Sequence, residues 1–247
     1  MLPCSILCGG LATRLRPVTE KIPKSLIPIH GEPFIAHQLR LLRSKGITQV
    51  VLCCGHLGEM IQDFVGNGSG FGLEVSFSFD GTPLLGTAGA IKKALPHLDK
   101  SFFVLYGDSY LNCDYQDIAQ SFNAANTLGL MTIYRNEGRF DCSNVEADSG
   151  RIVRYDKRNK TAGMHYIDYG LGVFSGAIFQ ALPANEVRDL AEVYQNLVGK
   201  GGLAAYEVQE RFYEIGSELG IRDLERHLSI RSNVSDQSES PSNKETS

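Results

Sequence analysis

Ile6-Leu7-Cys8-Gly9-Gly10-Leu11-Ala12-Thr13-Arg14-Leu15-Arg16-Pro17, followed by Lys21-Ile22-Pro23-Lys24, runs an apolar strand straight into a glycine pair and then into fixed cations. Glycine has no Cβ, so backbone N–H groups in such a loop can turn inward and approach an anion closely. The downstream Arg14 and Lys24 neutralise charge that the loop amides cannot. The stretch therefore reads as a phosphate site. It matches neither of the commoner phosphate loops: a P-loop ends its glycine run in Gly-Lys-Ser or Gly-Lys-Thr, and a dinucleotide fingerprint has a third Gly where Arg14 stands. A glycine pair alone also suits a plain strand-to-loop turn. The ordered set Gly9, Gly10, Thr13, Arg14, Leu15, Pro17, Thr19, Pro23 and Lys24 goes well beyond such a turn.

Composition bounds the rest. With 247 residues and 43% hydrophobic content, the chain can bury one large α/β core. No apolar run approaches the ~20 residues of a membrane helix. The first strand begins near Cys4, which leaves no room for a basic and apolar leader, so the expected location is the cytoplasm. The cysteines, Cys4, Cys8, Cys53, Cys54, Cys113 and Cys142, show no Cys-x-x-Cys spacing and read as reduced thiols, mostly buried. A net charge of −4, from 24 basic and 28 acidic residues without a basic block, argues against a nucleic-acid surface. Phosphate binding must be local.

Short β-branched runs alternate with helical periodicity, the pattern of helices covering a mainly parallel sheet. Predicted strands are 5–8, 49–53, 75–79, 102–106, 128–134, 144–147, 152–155, 171–174, 203–207 and 213–215. Ile35, Leu39 and Leu42 fall at i, i+4 and i+7 in a predicted helix over 33–45. Ile118, Phe122 and Ala125 repeat that spacing, as does the run from Val187 to Val198; further helices open near Gly86 and cover 221–229. The expected fold is α/β: a three-layer, Rossmann-like arrangement with a mixed, mainly parallel sheet flanked by helices. Residues 1–231 form one domain. Residues 1–110 are its nucleotide-binding half, since ligands bind at the carboxyl ends of parallel strands; residues 111–231 form the second half. Residues 232–247, with six serines and one aliphatic residue, are expected to be a disordered tail.

The opening signature resembles that of the nucleotidyltransferases that join a nucleoside triphosphate to a sugar 1-phosphate, and the resemblance runs from residue 6 to about residue 228. The segments between His56 and Asp80 look most like those of heptose-1-phosphate guanylyltransferases and N-acetylmuramate-1-phosphate uridylyltransferases. Ala12 stands where the family usually has Gly, which alters a loop position prone to positive φ. The resemblance implies a fold of the nucleotide-diphospho-sugar transferase type, in which the second half supplies the acceptor pocket. It implies that Leu7, Gly9, Gly10, Thr13 and Arg14 hold the nucleotide, with the pyrophosphate on the Gly10-to-Thr13 amides and Arg14, and that Lys24 meets the α-phosphate region. Gly86, Thr87 and Gly89, in Leu85-Gly86-Thr87-Ala88-Gly89-Ala90, correspond to the segment that packs on the nucleobase.

Phe102-Phe103-Val104-Leu105-Tyr106-Gly107-Asp108 is a buried strand ending in an acid, which places an oxygen ligand at the functional edge of the sheet. In the resembled enzymes this acid coordinates Mg²⁺ together with the acid of a late Asp-x-Gly-Thr pattern. Here that pattern reads Glu214-Ile215-Gly216-Ser217, so Glu214 is the implied second metal ligand. Arg154-Tyr155-Asp156-Lys157 resembles the strand whose Lys pairs with the sugar phosphate, with Arg154, Arg158 and Lys160 as competing cations. Asn144 and Asp168 align with positions that touch the sugar. Arg14 and Lys24 are then the catalytic cations and Mg²⁺ the cofactor, and His30, His37 and His56 are not needed. The partners are a nucleoside triphosphate and a sugar 1-phosphate, with a homodimer as the expected assembly and neither a nucleic-acid polymer nor a membrane involved. Two other functions fit the opening signature: a cytidylyltransferase acting on a phosphorylated alcohol, and a non-catalytic regulatory subunit that binds nucleotide sugars.

Overall fold

The computed structural model describes the backbone of residues 1–238 and the side chains of residues 1–230. In chain order the strands of the amino-terminal half are β1 (Cys4–Leu7), β2 (Pro28–Ile29), β3 (Glu32–Pro33), β4 (Gln49–Cys54), β5 (Glu74–Phe79), β6 (Ser101–Tyr106) and β7 (Ser109–Tyr110). They are followed by β8 (Gly129–Arg135), β9 (Val145–Asp148), β10 (Arg151–Tyr155), β11 (Tyr166–Ser175), β12 (Leu203–Val208) and β13 (Tyr213–Glu214). The helices are α1 (Phe34–Ser44), α2 (Gly58–Val65), α3 (Gly86–Ala94), α4 (Tyr115–Ala125), α5 (Gly176–Gln180), α6 (Leu190–Gly199) and α7 (Glu218–Ser238).

Nine strands form one mixed sheet in the order β5-β4-β1-β6-β11-β8-β12-β10-β9. The pairings β5–β4, β4–β1 and β1–β6 are parallel. These central strands are covered on both faces, which is why they read as unbroken apolar runs. Phe102 and Phe103 show the alternation: Phe103 packs with Leu39, Tyr115 and Ile118 on one face, and Phe102 with Ile91, Phe179 and Tyr194 on the other. The result is the three-layer α/β arrangement expected. β11 then enters antiparallel between β6 and β8, so strands of both halves share one sheet.

The chain leaves β1 toward β4 and β5 on one side and returns to β6 on the other. The crevice beyond the carboxyl ends of β1 and β6 is therefore the switch point at which ligands bind in open α/β sheets. Side-chain caps fix two of the helices: Asp114 accepts N–H bonds from Gln116 and Asp117 at the start of α4, and Asp189 accepts one from Ala191 at the start of α6.

Some boundaries differ from the sequence reading. Val187 lies outside α6 and is 62% exposed. Pro33 precedes α1 in an extended conformation and is not in its first turn. The last helix runs from Glu218 to Ser238, beyond both the predicted 221–229 and the expected start of the tail at Ser232, because no Gly or Pro interrupts 221–238. The rest of the expected tail, 239–247, lies outside the described residues.

Gly107, at the tip of β6, donates its N–H to Leu7 O at 3.1 Å. A Cβ at Gly107 would lie 2.5 Å from that oxygen and 3.0 Å from Cys8 Sγ. Gly107→Ala should therefore push the two strand ends apart and lower unfolding free energy by about 1–3 kcal/mol, read from urea denaturation. Wild-type stability in that variant would show that the contact yields freely.

Candidate active site

A cleft of about 880 Å³ opens at the switch point. Its floor is the glycine loop. Gly9 sits against the end of β4, where a Cβ on Gly55 would lie 2.7 Å from Gly9 O, and Gly10 has no neighbour within 4 Å of a built Cβ. The backbone at Gly10 is thus open to the cleft, as close approach of an anion requires. Arg14 and Thr13 follow in a single 3-10 turn, Thr13–Leu15. Leu7, Lys24, Gly86 and Thr87 also line the cleft.

Ala12, the departure from the usual Gly, lies in the left-handed region at φ 46 and ψ 46. An L-residue held there costs roughly 1–2 kcal/mol. The turn is held by Leu15 N–H and Thr19 Oγ1, which both donate to Ala12 O, at 3.1 and 2.9 Å. The second of these bonds accounts for a threonine at position 19.

The two acids implied as metal ligands do meet. β7 and β13 form a two-residue antiparallel ladder in which Glu214 pairs with Ser109, and Ile215 N–H donates to Asp108 O at 2.9 Å. Gln38, reaching from α1, fixes the same turn by donating to Tyr106 O and Ser109 O. Lys24 Nζ donates to Asp108 Oδ2 at 2.7 Å. Burial raises the Glu214 carboxyl above its ordinary range; the nearby Asp108 charge adds to this, while Lys24 and Arg14 oppose it. Lys24, Asp108, Glu214 and Arg14 therefore share one electrostatic neighbourhood. Among the described residues no group of three or more His, Cys, Asp or Glu is arranged to hold a metal. A pair of carboxylates is nevertheless what Mg²⁺ takes when substrate phosphates and water complete its shell.

At the other end of the cleft Asp168 is buried and fully engaged. It accepts from Gly170 N–H and Tyr155 Oη, both at 3.1 Å, and Lys157 Nζ lies 4.0 Å away. Burial still pushes its carboxyl above the ordinary range, against the pull of Lys157. Asn144 Oδ1 accepts Asp168 N–H at 2.9 Å, so this side chain orients Asp168 through the backbone. Lys157 also lies over the Tyr106 ring, 5.4 Å from its centroid. Of the competing cations, Lys157 lines the cleft, Lys160 lines a separate surface pocket, and Arg154 and Arg158 line neither.

One expected residue is elsewhere. Gly89 does not line the cleft: a Cβ there would lie 2.6 Å from Glu186 O, so its role is to let α3 pack under the 186–188 segment. Thr87 lines the cleft, but its hydroxyl is engaged by Asp189 Oδ1 and Leu190 N–H at 3.1 and 2.7 Å, tying α3 to the start of α6. The lining residues Asp141 and Phe212 carry no motif in the sequence, and Asp80 enters it only as the end of the segment from His56. Asp80 carries a weaker signal than Asp108, since the strand before it, Glu74–Phe79, alternates polar and apolar residues. His30, His37 and His56 do not line the cleft. Burial pushes the Cys8 and Cys53 thiols up to about 12, which removes them as nucleophiles.

A family model described as "Nucleotidyl transferase" matches residues 5–217. The chain belongs to that family. It is 28% identical over 217 residues to mannose-1-phosphate guanyltransferase beta-B of Xenopus laevis, covering 85% of this chain and 60% of that one. It is 26% identical over 227 residues to N-acetylmuramate alpha-1-phosphate uridylyltransferase of Neisseria meningitidis serogroup B, covering 89% of this chain and 95% of that one. The chain thus spans well under two thirds of the length of the first relative and nearly all of the second. Its fold is that of HddC from Yersinia pseudotuberculosis complexed with GMP-PN, with TM-score 0.79, 24% identity and coverage of 92% of this chain and 100% of that one. Among the described residues no helix is long and apolar enough to cross a membrane.

Family membership makes Ala12 a testable departure. Ala12→Gly removes the left-handed strain but adds unfolded-chain entropy, so the net change should be a gain of up to about 1 kcal/mol, seen as an unchanged or higher melting temperature. A fall in stability would show that the Ala12 methyl group makes contacts that outweigh its strain.

Proposed function

We propose that the protein condenses a nucleoside triphosphate with a sugar 1-phosphate, releasing pyrophosphate and forming a nucleotide-diphospho-sugar. The observation that supports this most is the distribution of charge in one cleft: Arg14 and Lys24 beside an open glycine loop, the Asp108–Glu214 pair, and Lys157 on Asp168 across from them. A site for one phosphate group would not need two separate cationic ends. The names of the relatives, which act on mannose 1-phosphate and N-acetylmuramate 1-phosphate, agree with this reading.

The reaction joins two anions that repel each other. An oxygen of the sugar phosphate attacks the α-phosphorus, the bond from that phosphorus to the β-phosphate bridge breaks, and pyrophosphate leaves with the electron pair. The attacking oxygen is already anionic at neutral pH, so no side chain has to remove a proton. Catalysis consists of positioning the reactants and stabilising charge on the transferring phosphate and the leaving group. Arg14 and the Gly10-to-Thr13 backbone receive the pyrophosphate, Lys24 the α-phosphate region, and Lys157 the sugar phosphate, with Asp168 and Asn144 orienting the acceptor. Asp108 and Glu214 are the residues that would hold Mg²⁺, which when bound supplies the charge that neutralises the triphosphate. Free thiols throughout, including exposed Cys142, fit a reducing compartment such as the cytoplasm. A non-catalytic regulatory role would leave unexplained why Arg14, Lys24, Asp108 and Glu214 all line one cleft.

Pyrophosphate release from a panel of triphosphates and sugar 1-phosphates tests the reading directly. With the productive pair, Arg14→Ala should lose turnover on the scale of ~2.7–4 kcal/mol of transition-state stabilisation while the fold persists. Near wild-type turnover would remove the loop as the pyrophosphate site.

The acid pair has its own test. Asp108→Asn and Glu214→Gln should each raise the Mg²⁺ concentration needed for half-maximal rate, and the double variant should fall far short of additivity because both act through one ion. An unchanged Mg²⁺ dependence in Glu214→Gln would take Glu214 out of the metal site.

A further inference from the structure

The buried face of α1 carries Phe34, Ile35, Leu39, Leu41 and Leu42, and among them one polar side chain, Gln38, which is 1% exposed. Its Nε2 donates to Tyr106 O at 3.1 Å and to Ser109 O at 2.8 Å, whereas its Oε1 has no hydrogen-bond partner among the described residues. A buried amide with an unsatisfied acceptor costs stability, and an apolar helix face has no need of one. What it gains comes from the two bonds it donates.

Those bonds straddle Asp108. Tyr106 ends β6, Ser109 opens β7, and Gly107 and Asp108 are the residues between them. The backbone of this turn is also held by Gly107 N–H on Leu7 O at 3.1 Å and by Ile215 N–H on Asp108 O at 2.9 Å. Both of these are main-chain bonds, open to almost any residue at those positions. The bonds to the two flanking carbonyls depend on a glutamine reaching in from another element. Gln38 does not line the cleft, so whatever it does there passes through the backbone of the turn.

We infer that Gln38 is a positioning residue for the metal site, holding the Asp108 carboxylate in register with Glu214 by pinning both flanks of the turn. The inference rests on the assignment of Asp108 and Glu214 to Mg²⁺. That ion demands near-ideal octahedral geometry, so two carboxylates from separate strands serve it only if each is held in place. The ladder that carries them pairs Glu214 with Ser109 and is two residues long, too short to do so unaided. One amide NH₂ offers two donors and can serve both carbonyls at once. Methionine offers none, and the carboxylate of glutamate would set its lone pairs against two carbonyl oxygens. The unpartnered Oε1 is what this arrangement leaves over.

Mn²⁺ titrated into the full chain and followed by water-proton relaxation reports metal held on the protein without any turnover. Gln38→Met removes both donors at similar volume and should weaken Mn²⁺ binding by about 10-fold or more, the scale on which outer-shell partners act. The Mg²⁺ concentration for half-maximal pyrophosphate release should rise with it. Leu42→Ala opens a hole under the same helix and should lower the melting temperature while leaving the Mn²⁺ affinity where it was. Wild-type Mn²⁺ affinity in Gln38→Met, equal weakening in Leu42→Ala, or a wild type that holds no Mn²⁺ overturns the inference. Should Gln38→Met fail to fold, Gln38→Asn, which keeps the amide but is one methylene too short to span both carbonyls, is read in the same way. Pyrophosphate release keeps the two readings apart. Release from a productive pair with Mn²⁺ affinity unmoved in Gln38→Met defeats the positioning role and leaves the transferase standing, whereas weakened Mn²⁺ binding without release from any pair defeats the transferase and leaves the positioning role.

Discussion

The contact on which the cleft depends is backbone against backbone at the ends of three parallel strands. Gly107 N–H binds Leu7 O, and Gly9 and Gly55 approach so closely that a Cβ on either would touch the other's backbone. Side chains at these points would splay the strand ends and fill the crevice between them. Without them, the loop after β1 drops to the level of the sheet edge, and the acid after β6 stands directly beside it. The phosphate loop and Asp108 are thus one construction, set by the absence of side chains as much as by their presence.

The second constraint joins the halves. Asp108 belongs to the amino-terminal half and Glu214 to the carboxy-terminal half, yet the ladder between β7 and β13 holds them at a fixed register. That ladder is only two residues long and has little stability of its own. It is supported from below by Gln38 and from the side by the apolar cluster of Ile29, Phe34, Tyr110, Ile215 and Leu224. The cost of bringing two carboxylates together is visible at Glu214, whose carboxyl is raised by burial and by its neighbour. Lys24 offsets part of that cost through Asp108, and a divalent ion would offset more.

What the sequence made legible follows from range. β1 and β6 are local apolar runs with an abrupt glycine or acid at the end, and both lie where the pattern puts them. α2 escaped notice because its eight residues bury only Gly58, Ile61 and Val65, too few for a helical period to stand out. The convergence of Lys24, Asp108 and Glu214 came from resemblance alone, since residues so far apart leave no local trace of their meeting. Gly89 misled for a related reason: a small residue at a helix start serves ligand approach and helix packing equally well, and only the position of Glu186 O decides between them. Asp80 also follows a strand end, but β5 alternates polar and apolar residues, so the acid after it stands out far less than the one after the unbroken apolar run of β6.

The electrostatics of the two cleft ends are complementary in a way that bears on order and direction. At one end Arg14 and Lys24 stand with the acid pair Asp108 and Glu214, two cations against two carboxyl groups, and both cations act on Glu214 against the effect of its burial. At the acceptor end the balance is different. Asp168 already holds a backbone N–H, a tyrosine hydroxyl and the Lys157 ammonium, and its burial keeps the group compact. Lys157 lies over the Tyr106 and Tyr155 rings beside a carboxylate that already accepts two other hydrogen bonds. Two neutral donors, Gly170 N–H and Tyr155 Oη, share Asp168 with Lys157, and the Lys157 charge offsets part of the cost of its burial. Lys157 thus sits half-exposed between a buried acid that its charge helps to keep ionised and the open cleft, held at a defined place by the Tyr106 and Tyr155 rings.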